Sequence, residues 1–546
     1  MRVLLGCDGG GTLGLGHVMR SLALAEAAVA AGHEVVVAGH FEGSFLQAQL
    51  AAAPVEVAPL SVPMAGGDLQ AFVDLVDRLR PDVVHVDSYE TSGRLAEIVA
   101  STGVEAVVSN MEDGTFGRRP AEVAIDPTLG AERSARPQDG TTWLLRGSRY
   151  TPVRRRVIDA GHPGSSDGMG GVGRETNRDV GQVARTVLVV MGGTDPEGLA
   201  PLAVELLART GLELEVTAIA VDENARRART EAEGSPLSLT VLAPVDDLPA
   251  MMSAHDLVIS AAGTSVWELC CIGVPAALVW AVDNQREVYD QVVAAGAAIG
   301  LGGPGLRAEE HAVDLLTGAL TDSRVRAGLV RAGRQVVDGL GAWRVVRMWE
   351  QALTVRCLPP IETAGLVARR ATLQDARLLW RWRNDPATRA ASRSSAVLAW
   401  EDHLGWLEAS LARTDRILLV VEHTGGTGGP VGTVRWDLVR EPVGEREPGR
   451  EGGFEAGPVG WDEWEVSITV APERRGRSLA RPLLRVAETA LSELARSGGT
   501  DVSAYLAVVH RDNGASVRLF ETSGYVPDLP ADPRGFMRFR KTARVP

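Results

Sequence analysis

Four cysteines (Cys7, Cys270, Cys271 and Cys357) are all that the 546 residues contain, and none stands at metal-ligand or disulfide spacing. No apolar run approaches the ~20 residues that a membrane-spanning helix needs. Met1-Arg2 leads straight into a short apolar strand, so a secretory signal is not expected. Net positive charge is missing as well. The formal balance is −14 at pH 7, which argues against nonspecific nucleic-acid binding and against docking on an acidic membrane surface. These absences leave a cytoplasmic enzyme with no metal as the default expectation. They do not exclude an anionic ligand in a locally basic cleft, and they fix no oligomeric state.

A further absence concerns the first turn. Strand Arg2–Cys7 runs into Asp8-Gly-Gly-Gly-Thr12, and Gly14-Leu-Gly-His-Val-Met-Arg20 then opens an amphipathic helix with Leu22, Ala25, Val29 and Ala30 at helical spacing. A dinucleotide fingerprint would place a third glycine where this chain has Met19. It would also end the second strand, Glu34–Ala38, in a carboxylate, whereas Gly39-His40 follows. A nicotinamide site is thereby disfavoured. What remains is a phosphate cradle, in which Gly14 and Gly16 leave N–H groups and the positive helix end facing an anion. His17, in the first helical turn, is held neutral by that dipole, the form a general base needs. Arg20 lies one turn on, in reach of a phosphate or carboxylate. The competing reading of His17 is a hydrogen-bonding residue at a helix end.

The length predicts two to four domains. Up to about residue 155, short Val-rich strands (Val3–Gly6, Glu34–Ala38, Val83–Val86, Ala106–Ser109) alternate with apolar helices, the pattern of a parallel sheet covered on both faces. Tyr89 follows the third of these strands and is a candidate substrate contact. Residues 159–181, rich in Gly and Ser and without periodicity, read as an insertion or linker. A second alternating region begins at Thr186–Met191 and continues through Glu213–Ala220, Leu237–Leu242, Leu257–Ser260 and Ala276–Trp280. Its first turn carries Gly192 and Gly193. Its strongest feature is Ser260-Ala-Ala-Gly-Thr-Ser-Val-Trp-Glu268, a strand end, a turn and a helix start. There Gly263, Thr264 and Ser265 suit a diphosphate and Glu268 suits ribose hydroxyls; a plain βα turn with a solvated glutamate is the competing reading. Asn284 and Gln285 arrive at the end of a further strand.

Residues 358–365 read as a linker. A different pattern follows: strand 366–370, helices containing Trp380-Arg-Trp-Arg-Asn-Asp-Pro386 and Trp400–Leu411, and strands Ile417–Glu422, Gly432–Leu438, Glu463–Val470 and 502–508. Between Val470 and Ala480 a strand ends in a basic turn, and helix Arg481–Ala495 begins. This is a pyrophosphate-binding arrangement with added arginines.

Two families are similar to these pieces. Residues 1 to about 355 resemble the UDP-sugar hydrolases of pseudaminic acid biosynthesis, relatives of GT-B glycosyltransferases. The matching pieces are DGGGTLGLGHVMR, VDSY, GSRY, VMGGTDP, SAAGTSVWE, DNQ and DGLGAWRV, in the family's order. The resemblance implies hydrolysis of UDP-2,4-diacetamido-2,4,6-trideoxy-β-L-altrose to UDP and free sugar. It makes His17 the group that positions or deprotonates water, Asn284 and Tyr89 the sugar and phosphate contacts, and Gly263 to Glu268 the UDP contacts. Residues 366 to about 541 resemble the GNAT acetyltransferases. Arg475, Gly476, Arg477, Ser478, Leu479 and Ala480, after Val470, match the acetyl-CoA loop, with Ser478 where glycine is usual. Asn513 and Ser516 match the second motif, where Phe520 replaces the tyrosine that often protonates the departing thiolate. Glu465 is the candidate to order a water that deprotonates an amine; a surface-pointing glutamate is the competing reading.

The expected fold class is α/β: two Rossmann-like, GT-B-like domains (1–158 and 184–357, around an insertion at 159–183), then an α+β GNAT domain (366–546). The expected partners are a UDP-linked amino sugar and acetyl-CoA, with no nucleic acid, membrane or metal. The alternatives left open are a glycosyltransferase fused to an acetyltransferase, and a chain in which one half is a non-catalytic binding module.

Overall fold

The computed structural model describes the chain except residues 11–14, 65–68, 89–94, 113–120, 132–138, 162–182, 193–194, 196, 304–309, 358–362, 364, 391–395, 414, 425–428, 440–460, 498–500, 530, 533 and 544–546. It divides into two compact units, Met1–Val346 and Arg347–Pro546, with the division inside helix Gly341–Cys357.

The first unit holds two parallel sheets. One comprises β1 (Arg2–Cys7), β2 (Glu34–Gly39), β3 (Glu56–Pro59), β4 (Val83–Asp87), β5 (Val107–Met111), β6 (Val123–Asp126) and β7 (Trp143–Arg146). The other comprises β8 (Thr186–Val190), β9 (Leu214–Ile219), β10 (Leu237–Leu242), β11 (Leu257–Ala261), β12 (Ala276–Val279) and β13 (Ile299–Gly302). Their orders, β3-β2-β1-β4-β5-β6-β7 and β10-β9-β8-β11-β12-β13, reverse between β1 and β4 and between β8 and β11. Those reversal points are where doubly wound sheets bind ligands. Val3, Leu4 and Leu5 on β1 and Val187, Leu188 and Val189 on β8 are wholly buried, as strands covered on both faces must be.

The two sheets are joined through packing as well as through the chain. Val153, Val157 and Ile158 lie in the core of the second sheet with Leu269, Cys270 and Ile272. Helix Arg155–Gly161 covers the first residues of the predicted insertion, whose remainder falls outside the described residues. Gly341 seals the same junction: a Cβ there would lie 2.1 Å from the Thr151 carbonyl oxygen and 2.7 Å from its nitrogen.

The second unit carries a mixed sheet of β14 (Leu366–Arg370), β15 (Arg416–His423), β16 (Pro430–Val439), β17 (Trp461–Val470), β18 (Asp501–His510), β19 (Val526–Leu529) and β20 (Phe536–Thr542). The order is β14-β15-β16-β17-β18-β20-β19, and its pairs are antiparallel except β17 with β18. Helix Ala480–Ser497 covers one face through Leu483, Leu484, Ala487 and Leu491. Helices Ala376–Asn384 and Trp400–Ala412 bring Leu379, Trp382 and Leu407 onto Leu418 and Val420 of the other. The fold class is the one the sequence implies: two Rossmann-like sheets followed by a mixed α+β sheet. No helix among the described residues is long and apolar enough to cross a membrane.

Because backbone atoms surround the Gly341 site, they cannot move aside cheaply. Gly341→Ala should cost about 1–3 kcal/mol and lower the melting temperature measured by calorimetry. An unchanged melt would contradict the close approach.

Candidate functional site

Two constellations stand where parallel strands end. In the first unit, Asp87 closes β4 and is 1% exposed. Arg20 grips it with two nitrogens, Nε to Oδ2 at 2.8 Å and Nη2 to Oδ1 at 2.9 Å. His17, on the second residue of helix Gly16–Ala30 and itself buried, places Nε2 3.9 Å from Asp87 Oδ1. Burial by itself would raise the Asp87 carboxyl. The Arg20 guanidinium outweighs it, helped by His17 and His85, and the group stays below its ordinary value. His85, two residues back on β4 and bonded to Ser109 Oγ at 2.9 Å, is pushed down to about 4 by burial. Among the described residues no side chain caps this helix start, where the first N–H groups can serve an anion.

The turn after β11 faces this helix start. A Cβ on Gly16 would sit 3.4 Å from Thr264 Cγ2, and one on Gly263 would sit 3.7 Å from Gln285 Nε2. Helix Ser265–Ile272 likewise begins without a side-chain cap. Gln285 fixes the strand end by accepting from Ala281 N at 2.8 Å, and its neighbour Asn284 is exposed at the start of helix Asp283–Ala294. Glu268 has its carboxyl raised by burial, against the opposing pull of Arg156 and Arg154. The structure thus brings Gly16, His17, Arg20, Gly263, Thr264, Ser265, Glu268 and Gln285 to one cleft. Gly192 follows β8, the strand paired with β11, and the next helix start spends its N–H groups on Asp195, which accepts from Leu199 at 2.8 Å and Ala200 at 2.9 Å. Gly14, Tyr89 and Gly193 lie outside the described residues.

Sequence reasoning passed over the basic floor of this cleft. Arg154 Nε bonds Glu26 Oε1 at 2.5 Å, which ties Thr151-Pro-Val-Arg-Arg-Arg156 beneath helix Gly16–Ala30. Three consecutive arginines after a proline were the available signal.

In the second unit β17 and β18 pair from Trp461 and Asp501 as far as Val466 and Ala507. Beyond that point Ser467–Val470 pairs only with β16, and Val508–His510 only with β20. The two strands splay, and a slot opens between their carboxyl ends. Val470 forms its edge. The turn after it holds Gly476 at φ 74° and Ser478 at φ 57°. Ser478, standing where glycine is usual, therefore adopts the left-handed backbone that glycine favours. Leu479 packs on the core, and Ala480 begins the helix.

The arginines of this turn divide their work. Arg475 is spent on Asp385 Oδ1 (2.6 Å) and Thr388 Oγ1 (2.5 Å), while Arg477 is exposed. Arg481, which sequence reasoning did not single out, buries Nε and Nη2 with no hydrogen-bond partner at the helix start. A half-buried guanidinium with two nitrogens unpaired among the described residues, beside a turn of N–H groups, fits a cofactor phosphate.

Asn513 caps helix Gly514–Thr522 by accepting from Ser516 N at 3.2 Å. Phe520 is core, edge-on to Tyr525 at 5.0 Å between ring centres. Tyr525 donates to Glu488 Oε1 at 2.9 Å, and burial holds its hydroxyl well above the usual range. Glu465 lies on the sheet face opposite Trp464 and Val466, between Asp437 and Leu506 on the neighbouring strands. Among the described residues no group of three or more His, Cys, Asp or Glu is placed to hold a metal ion.

Residues 366–526 match the Acetyltransferase (GNAT) domain family, Acetyltransf_3, so the chain carries a GNAT acetyltransferase domain. Over 436 residues the chain is 20% identical to the Uncharacterized protein MJ1062 of Methanocaldococcus jannaschii, a span of 78% of this chain and 81% of that protein. It is 28% identical over 167 residues to the Spore coat polysaccharide biosynthesis protein SpsG of Bacillus subtilis, 30% of this chain and 48% of that one. Among solved structures, MurG of Acinetobacter baumannii aligns with a TM-score of 0.46 and 16% identity, over 64% of this chain and 99% of its own. Spermidine N-acetyltransferase of Vibrio cholerae, in complex with CoA and spermine, aligns with a TM-score of 0.25 and 15% identity, over 33% of this chain and 95% of its own.

The strain at Ser478 makes the turn testable. Ser478→Gly should relieve about 1 kcal/mol of left-handed strain and bind acetyl-CoA at least as tightly as the unaltered chain. Ser478→Val, a β-branched residue at positive φ, should weaken it. Equal affinities for all three in calorimetric titration would remove this turn from the cofactor site.

Proposed function

We propose that the chain is a bifunctional cytoplasmic enzyme of amino-sugar nucleotide metabolism. In this reading the GNAT domain N-acetylates a UDP-linked amino sugar, and the first unit hydrolyses the acetylated product, UDP-2,4-diacetamido-2,4,6-trideoxy-β-L-altrose or a close relative, to UDP and free sugar. Residues 1–158 and 184–357 form the hydrolase and 366–546 the acetyltransferase. The carrying observation is that His17, Asp87 and Arg20 converge at one helix start facing the Thr264 turn. The relationship to a polysaccharide biosynthesis protein supports the same substrate class.

For hydrolysis, His17 takes a proton from a water that attacks the anomeric carbon. The bond from that carbon to the β-phosphate oxygen breaks, and UDP leaves. Its developing charge meets the uncapped N–H groups at Gly16 and Ser265, with Arg20 and the Arg154–Arg156 floor adding positive potential. Glu268 and Gln285 hold the nucleoside, and Asn284 and Tyr89 the sugar.

In the second unit the Arg475–Ala480 turn and Arg481 would hold the phosphates of acetyl-CoA, which supplies an activated acyl group when bound. Val470 lines the slot for its arm. Glu465, through an ordered water, removes the proton that keeps the acceptor amine from attacking. Tyr525 is spent on Glu488, and this reading assigns it no proton to deliver.

His17→Ala should lower hydrolysis by ~10²–10⁴-fold while UDP affinity stays largely intact. Hydrolysis at the unaltered rate would remove the base assignment. Mass spectrometry of the products, with and without sugar acceptors, separates hydrolysis from glycosyl transfer. Glu268→Ala should raise KM and weaken UDP while leaving kcat nearly unchanged, since a contact remote from the breaking bond binds ground and transition states alike. An unaltered UDP affinity by calorimetry would rule that contact out.

A further inference from the structure

The Trp380-Arg-Trp-Arg-Asn-Asp-Pro386 segment does not enter the chemistry above, yet four of its polar side chains are committed to named partners. Asn384 is fixed to the backbone of Leu398 in both directions, Nδ2 to O at 2.9 Å and N to Oδ1 at 2.8 Å. Trp380 Nε1 donates to the same Leu398 oxygen at 2.9 Å. Two further side chains reach across to the turn between β17 and helix Ala480–Ser497. Trp382 Nε1 donates to Glu473 Oε1 at 3.4 Å, and Asp385 accepts from Arg475 at 2.6 Å.

Asp385 is built to receive that arginine. Thr388 donates to its Oδ1 from N at 2.9 Å and from Oγ1 at 3.1 Å, so the carboxylate is oriented before Arg475 arrives. Those donors, the Thr388 backbone first and Arg475 next, hold the carboxyl below its ordinary value. Arg475 closes the ring through Thr388 Oγ1. The turn gains from such support: Gly476 and Ser478 both sit at positive φ, which strains the serine.

We propose that Asp385 is a positioning residue for the acyl-CoA cofactor: through Arg475 it fixes the N–H groups of the Arg475–Ala480 turn in their phosphate-binding geometry. The proposal rests on the reading of that turn as the cofactor site. It reassigns Arg475 from the phosphate to the scaffold and leaves Arg481 as the cation that meets the ligand. It also accounts for the spacing of the motif: Trp382, in the last turn of helix Ala376–Asn384, pins Glu473, and Asp385, the residue that ends that helix, pins Arg475.

The test uses the full chain and acetyl-CoA itself, titrated by calorimetry. Asp385→Ala should weaken acetyl-CoA by about 10-fold, the scale of one charge-assisted hydrogen bond. Its melting temperature should barely move, because a partly exposed ion pair contributes little to stability. The exchanged pair, Asp385→Arg with Arg475→Asp, should recover most of the lost affinity, which a merely lost fold contact would not. An Asp385→Ala affinity within twofold of the unaltered chain overturns the proposal, and so does an exchanged pair no better than the single variants. Arg481→Ala tests the cofactor reading separately. An unaltered chain that takes no acetyl-CoA overturns that reading and this proposal together. Arg481→Ala weakened while Asp385→Ala is not overturns this proposal alone.

Discussion

A parallel strand ends with its last carbonyl and the first N–H groups of the following helix on the same edge, and that constraint decides where this chain can do chemistry. In the first unit the two helix starts that matter, at Gly16 and Ser265, follow β1 and β11, the strands next to the reversal of sheet order. Among the described residues neither has a side-chain cap; at the second helix Val266 N and Trp267 N already donate to the Gly263 and Thr264 carbonyls at 3.2 Å. In the second unit a single parallel pair, β17 with β18, interrupts an antiparallel sheet, and the slot opens at that pair. Elsewhere the sheet's strands run antiparallel and are stitched along their shared length.

Charge is then arranged around those helix starts. The chain is acidic overall, yet the groups near the first cleft are cationic: Arg20 beside Asp87, and Arg154 and Arg156 within electrostatic reach of Glu268. Each has a carboxylate nearby, which limits the cost of holding it in a buried place. Arg20, held by Asp87 with two hydrogen bonds, is thereby fixed in direction as well as in charge.

The central strands were legible because their physics is simple. β10 and β14 match the periodicity residue for residue, and β1, β4, β8 and β11 fall within a residue or two. The strands that periodicity does not disclose are mostly at the edges and four residues long, such as β3, β6, β7, β13 and β19. β13 reads Ile-Gly-Leu-Gly, with too little apolar surface to announce a strand. β20 hides for another reason: Arg538, Arg540 and Lys541 break its apolar alternation, and each faces an acid (Asp528, Glu463 and Glu488) that sequence spacing cannot reveal. The sites follow the same rule. His17, Thr264 and Ser478 announce themselves by position after a strand, whereas the Arg475–Asp385 clasp joins residues 90 apart in sequence.

Glu488 also bears on the departure at Phe520. Phe520 stands where related enzymes often carry a tyrosine, and Tyr525 packs edge-on against it in the same core. Its oxygen donates to Glu488, which also takes Lys541 at 2.7 Å and lies beside Arg485 at 3.5 Å. Lys541 is the chain's single lysine, and its ammonium lies over the Tyr525 ring at 5.4 Å. Removing Tyr525 from this network to serve as an acid would leave the buried Glu488 carboxylate short of one donor. The hydroxyl is therefore structural. A thiolate leaving the slot must take its proton from elsewhere, and a thiol needs little help: its ordinary pKa of about 8.5 makes the thiolate a tolerable leaving group near neutrality. Replacing tyrosine by Phe520 thus removes a convenience from the reaction and adds apolar packing to the sheet, where the ring also lies 6.4 Å from Phe539.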